Sequence, residues 1–122
     1  MTEIKNFTNL QKLHIVGPNI ICMTEIKSCT NLRSCTISGS DSITDSTIIE
    51  ICRNCTKLYS LHIGESDNVT DTSLIEMRRS YSIPKWVEFY KCKNISDICI
   101  NATRAIVPKV CVSRSQSNIF FQ

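Results

Sequence analysis

Eight cysteines, two histidines and a recurring aspartate are the residues of this 122-residue chain whose types could do chemistry. An even number of cysteines at such density would suit a disulfide framework in an extracellular chain. Cytosolic thiols stay reduced, and there a buried free Cys acts as a small apolar core residue. Cys52-x-x-Cys55 is the only C-x-x-C spacing. A structural zinc site would want a second such pair, or a His pair at suitable spacing. His14 and His62 stand far apart in sequence, at positions expected to face solvent, so no metal is expected. Asp45, Asp71 and Asp97 each follow a Thr or Ser at a constant interval, which suits helix capping better than a carboxylate cluster. The chain has no Gly-rich phosphate loop, G-x-S-x-G elbow or H-E-x-x-H motif. Neither catalysis nor a cofactor is expected.

The elements that must position these residues follow from composition and self-comparison. The chain is 42% apolar and 20% charged, a balance suited to one globular domain. No run approaches the ~18 apolar residues of a membrane helix, and no secretory signal is visible in the opening residues, which carry an early acid and no apolar h-region. A net charge of +3, spread without runs, does not mark a nucleic-acid binder. Residues 1–10 (MTEIKNFTNL) recur at 23–32 (MTEIKSCTNL), an offset of 22. Residues 43–53 (ITDSTIIEICR) recur at 69–79 (VTDTSLIEMRR), an offset of 26, and another copy opens at Ile95-Ser96-Asp97. The period is that of a stacked repeat.

In register, the apolar frame reads Leu10, Leu13, Ile15, Ile21; then Leu32, Cys35, Ile37, Ile43; then Leu58, Leu61, Ile63, Val69. The fourth unit reads Val87, Phe89, Ile95, with Pro84 in place of the first leucine, and Val110 and Val112 open a fifth. The middle of each frame alternates with period 2, as a half-buried strand does. A helix then follows from Asp45, Asp71 and Asp97, or from the Thr or Ser before each, as N-cap. Ile48, Ile51 and Cys52 share one helix face, as do Leu74 and Met77. No single unit can bury its apolar face, so the units must stack. The expected fold is α/β: a solenoid over residues 1–112 of about four and a half units, with 113–122 a tail or the start of a cap. Parallel strands would line a concave face and short helices a convex one.

This pattern resembles the cysteine-containing leucine-rich repeat of F-box proteins and their mitotic-exit-antagonist relatives. Cys29-Thr30-Asn31-Leu32 and Cys55-Thr56-Lys57-Leu58 match its opening, and Cys92 before Ile95-Ser96-Asp97 matches its second cysteine. Pro18, Ser40 and Ser66 replace that second cysteine in other units. The resemblance implies a protein-interaction module for substrate recognition in an SCF-type ubiquitin ligase pathway, in the cytoplasm or nucleus. The repeats fill this stretch without an F-box, so the chain is expected to be either a fragment or a repeat protein that does not itself contact the ligase core. No polar capping unit is visible, so a partner, a neighbouring copy through self-association, or further sequence is expected to cover the ends. The competing reading is an extracellular or surface recognition domain with disulfides and glycans. Five N-x-S/T triplets, at Asn6, Asn54, Asn68, Asn94 and Asn101, would serve it, although 26 Ser plus Thr make several such triplets a matter of composition.

A binding surface is expected where the strands' outward residues lie. They are Lys12, His14 and Val16; Ser34, Thr36 and Ser38; Ser60, His62 and Gly64; Trp86, Glu88 and Tyr90; and Lys109, Cys111 and Ser113. Within this set Lys12, His14, Ser34, Thr36, Ser60, His62, Trp86, Glu88 and Tyr90 are the expected contacts for a protein partner. Trp86, Glu88 and Tyr90 are the only large aromatic set, and Trp and Tyr are the commonest anchors of interfaces. A one-residue slip after Pro84 would instead drive Trp86 into the core and Glu88 with it. Cys111, outward on its strand, is the thiol expected to be exposed.

Overall fold

The computed structural model describes residues 9–17, 28–39, 43–80, 83–107 and 109–113. Ile21, the substitutions at Pro18 and Ser40, the acceptor triplet at Asn6 and the tail from 114 lie outside them, as does the side chain of Val112. Among the described residues five strands and three helices follow one another: β1 (Lys12–Val16), β2 (Ser34–Ser38), α1 (Asp45–Asn54), β3 (Ser60–Gly64), α2 (Asp71–Met77), β4 (Trp86–Tyr90), α3 (Asp97–Arg104) and β5 (Lys109–Ser113). The strands form one parallel sheet in chain order, a solenoid-like α/β arrangement.

Alternation along the strands produces this layering. In β2 Cys35 and Ile37 are buried between half-buried Ser34, Thr36 and Ser38, and in β4 Val87 and Phe89 are buried between Trp86, Glu88 and Tyr90. The inward set meets Ile48, Ile51 and Cys52 of α1 and Leu74 and Met77 of α2 in one continuous core. Leu10, Leu13 and Ile15 are only partly buried against it. At ~25 cal/mol per Å² of apolar surface, such stacking supplies what no single unit could. The register runs unbroken past Pro84: Ser60 lies beside Trp86, Leu61 beside Val87 and His62 beside Glu88. Pro84 is itself buried and precedes the strand, where its missing N–H costs no ladder bond.

The Thr or Ser before each aspartate is the N-cap, namely Thr44, Thr70 and Ser96. Thr70 Oγ1 accepts from the backbone N–H of Thr72 at 3.2 Å, and Ser96 Oγ from that of Cys99 at 3.2 Å. The aspartates open the helices and reach forward one unit. Asp45 accepts from the backbone N–H of Thr70 at 2.8 Å, from its hydroxyl at 2.6 Å, and from the hydroxyl of Ser73. Asp71 accepts from the backbone N–H and hydroxyl of Ser96, both at 2.7 Å. Asp45 and Asp71 thus each satisfy the cap residue of the next helix, and the T-D repetition becomes an inter-unit ladder. Burial alone would push the Asp45 carboxyl up; the bonds from Ser73 and Thr70 outweigh it and hold the group below the usual carboxylate range.

Six of the seven described cysteines are buried, and all seven are free thiols. Cys29, Cys35, Cys52 and Cys55 gather in one region of the core. Burial, reinforced by the neighbouring Cys55, Cys29 and Cys52, pushes the Cys35 thiol up to about 12. Cys52 is likewise pushed up to about 12 and Cys55 to about 11, mainly by burial. Such thiols carry almost no thiolate near neutrality and act as packing groups. Ser66, at a position where the repeat would carry its second cysteine, is buried and donates to the carbonyl of Ile43 at 3.1 Å. Its hydroxyl is therefore satisfied, as burial requires.

Candidate functional site

Three alternate positions of each strand lie on one face, and the parallel register arranges them in three rows. Lys12, Ser34, Ser60, Trp86 and Lys109 form the row where the strands begin. His14, Thr36, His62, Glu88 and Cys111 form the middle row; Val16, Ser38, Gly64, Tyr90 and Ser113 form the last. All nine expected contact residues therefore share one face. Lys12, His14 and Tyr90 are exposed on it, while Ser34, Thr36, Ser60, His62, Trp86 and Glu88 are half-buried.

Two positions depart from the sequence expectation. Gly64 is buried and adds no side chain to the surface. A Cβ there would stand 2.9 Å from Ser38 Oγ and 3.6 Å from Tyr90 Cδ2, so glycine is what lets those neighbours close in. His62 does not simply face solvent, because its Nε2 is buried.

The aromatic end has the most defined geometry. The Trp86 and His62 rings lie 6.0 Å apart and tilted by 46°. Lys109 Nζ stands 5.1 Å over the Trp86 ring, within cation–π range. Lys91 Nζ stands 5.2 Å over the exposed Tyr90 ring. Trp86 Nε1 and His62 Nε2 are both buried and have no hydrogen-bond partner. An unpaired buried polar atom costs on the order of 1–3 kcal/mol, so this end of the face is under-satisfied as it stands. The small-residue end differs: Ser60 Oγ donates to Ser34 Oγ at 3.1 Å and Ser38 Oγ to Glu65 Oε1 at 3.3 Å.

The turn after each strand supports this face. Gly17, Gly39, Glu65 and Lys91 all have positive φ, at 96°, 75°, 55° and 55°. Glycine adopts that region freely, whereas Glu65 and Lys91 hold it at a cost of ~1–2 kcal/mol each. Lys91 thereby reaches Tyr90. Repeat spacing carries no sign of this contact, because the unit's first two copies have glycine there.

Cys111 is exposed, as its place on the strand required. Among the described residues no three His, Cys, Asp or Glu are placed to hold a metal ion, and no helix is long and apolar enough to cross a membrane. No protein-family model matches the chain, and no curated protein matches it.

Proposed function

We propose that this chain is a leucine-rich-repeat module that binds a protein partner on the outward face of its sheet and does no chemistry of its own. Trp86 carries the reading: it lies half-buried beside His62 and Lys109 with its indole N–H unpaired. A rigid aromatic with an unused donor is how an interface anchor is built. The cysteine-bearing repeat links the module to substrate recognition in an SCF-type ubiquitin ligase pathway. Its setting would be the cytoplasm or nucleus, a reading supported by six buried free thiols.

The test compares proteins captured from lysate by the native chain, by Trp86→Ala and by Arg79→Ala, the last altering an exposed side chain just after α2. A partner retained by the native chain and Arg79→Ala, and weakened by ~2 kcal/mol or more with Trp86→Ala, supports the reading. Equal capture by all three refutes it.

A further inference from the structure

We infer that the edge of the sheet at which the strands begin is a second binding surface, shaped for an extended acidic peptide. It adjoins the outward face, shares Lys12 and Lys109 with that face's first row, and adds Arg33, Lys57 and Lys85, which are scattered in sequence.

Stacking collects the charge. Just before the strands, Gln11, Arg33, Tyr59 and Lys85 form a row held by backbone bonds: Arg33 N donates to the Gln11 carbonyl at 2.8 Å, Tyr59 N to that of Arg33 at 2.7 Å, and Lys85 N to that of Tyr59 at 2.9 Å. Lys12 and Lys109 open the first and last strands, and Lys57 lies one row further back, donating to Asn31 Oδ1 at 2.9 Å. Residues 9–12, 31–34, 57–60, 83–86 and 109 therefore present five cations and no carboxylate, and all five cations are exposed. The whole chain carries a net charge of only +3, so this edge is more basic than the molecule. Beyond the other ends of the strands, Glu65 and Asp67 balance Lys91 and Lys93. Lys93 and Asp67 pair at 3.6 Å.

Geometry and chemistry favour a peptide. Strands ~4.8 Å apart put Lys12 and Lys109 roughly 19 Å from each other, and an extended chain repeats its same-side residues every ~6.7 Å. About three carboxylates would thus span the edge. A recess of about 340 Å³ lined by Asn9, Gln11, Asn31, Arg33 and Lys57 sits at one end of it. Its guanidinium and amide donors suit a carboxylate, which Arg can bind in bidentate fashion. Single-stranded nucleic acid would need successive open aromatic faces. Tyr59 is 57% exposed, but Lys109 covers one face of Trp86 and His62 lies beside it.

The test is fluorescence anisotropy of the full chain with a fluorescein-labelled dodecapeptide of alternating glutamate and serine, at about 50 mM salt where screening is modest. The glutamine counterpart and an oligo-dT of equal charge are the comparators. Binding of the acidic peptide alone is expected, weakened about tenfold by Arg33→Glu with Lys57→Glu and less than about threefold by Lys91→Glu with Lys93→Glu. The neutral pair Arg33→Gln with Lys57→Gln should weaken it less, in the same direction, and checks that the loss is not one of folding. Tyr90→Ala should leave peptide affinity unchanged, so this surface and the outward face succeed or fail separately. No peptide binding, tighter binding of oligo-dT, or equal loss from reversal at either edge would overturn the inference.

Discussion

Replacing Asp45 with alanine should break the coupling between the second and third units without touching the apolar core. The carboxylate accepts the backbone N–H and hydroxyl of Thr70 and the hydroxyl of Ser73. The two Thr70 groups are half-buried and can turn partly to water, whereas Ser73 is 0% exposed and its hydroxyl would be stranded. A stranded buried hydroxyl costs ~1–3 kcal/mol, and losing two charge-assisted bonds at a half-exposed site adds about 1 more. The expected loss is therefore about 2–4 kcal/mol, read as a shift in the urea midpoint by circular dichroism at neutral pH. The pH dependence separates this cause from lost packing. The folded carboxyl lies below its unfolded value of ~3.9, so its contribution is fully present above about pH 5 and fades as pH falls through the folded value. The gap between native chain and variant should narrow steadily from pH ~5 downward. A loss under ~1 kcal/mol, or a gap that holds its size to pH ~2, would refute the ladder.

Leu61 is 0% exposed in the central strand, so Leu61→Ala should cost ~2–5 kcal/mol, and a loss below ~1 kcal/mol would mean that the register is wrong. Trp86→Phe keeps the ring and removes the unpaired indole N–H; stability in urea should hold or rise by up to ~1 kcal/mol, while a clear loss would show that the N–H is satisfied. Thiol labelling of the native chain, mapped by mass spectrometry, should modify Cys111 far faster than Cys35, Cys52 or Cys55; comparable rates would contradict their burial.

The layering was legible because each strand's burial depends on alternation within five residues. Leu61 and Ile63, or Val87 and Phe89, declare their face from sequence alone. Trp86 stayed in register for a reason equally local, since Pro84 ends before the ladder begins. Other features depend on distances between units, which spacing along the chain does not encode. The aspartates suggested caps, yet their partners lie 25–28 residues ahead. Ser73, matching Thr47 in the preceding unit, was the available sign of a hydroxyl kept where the helices meet. Likewise, Lys12, Arg33, Lys57, Lys85 and Lys109 read as dispersed charge until stacking aligned them. Gly64 was placed on the surface by its parity alone; what buries it is contact with the neighbouring strands' Ser38 and Tyr90.

The forward reach of the aspartates also bears on how such a chain can lengthen or shorten. Thr70-Asp71 and Ser96-Asp97 are equivalent junctions 26 residues apart. Excising residues 71–96 joins Thr70 to Asp97 and leaves Asp45 still facing the N–H and hydroxyl donors of Thr70, with Cys99 falling where Ser73 stood. Strand register itself holds at unit spacings of 22, 26 and 23 residues, but a cut that misses these junctions strips a carboxylate of its donors. Whole-unit duplication and loss are thus the changes of length that the ladder tolerates, and the cost of a wrong junction falls on one interface at a time.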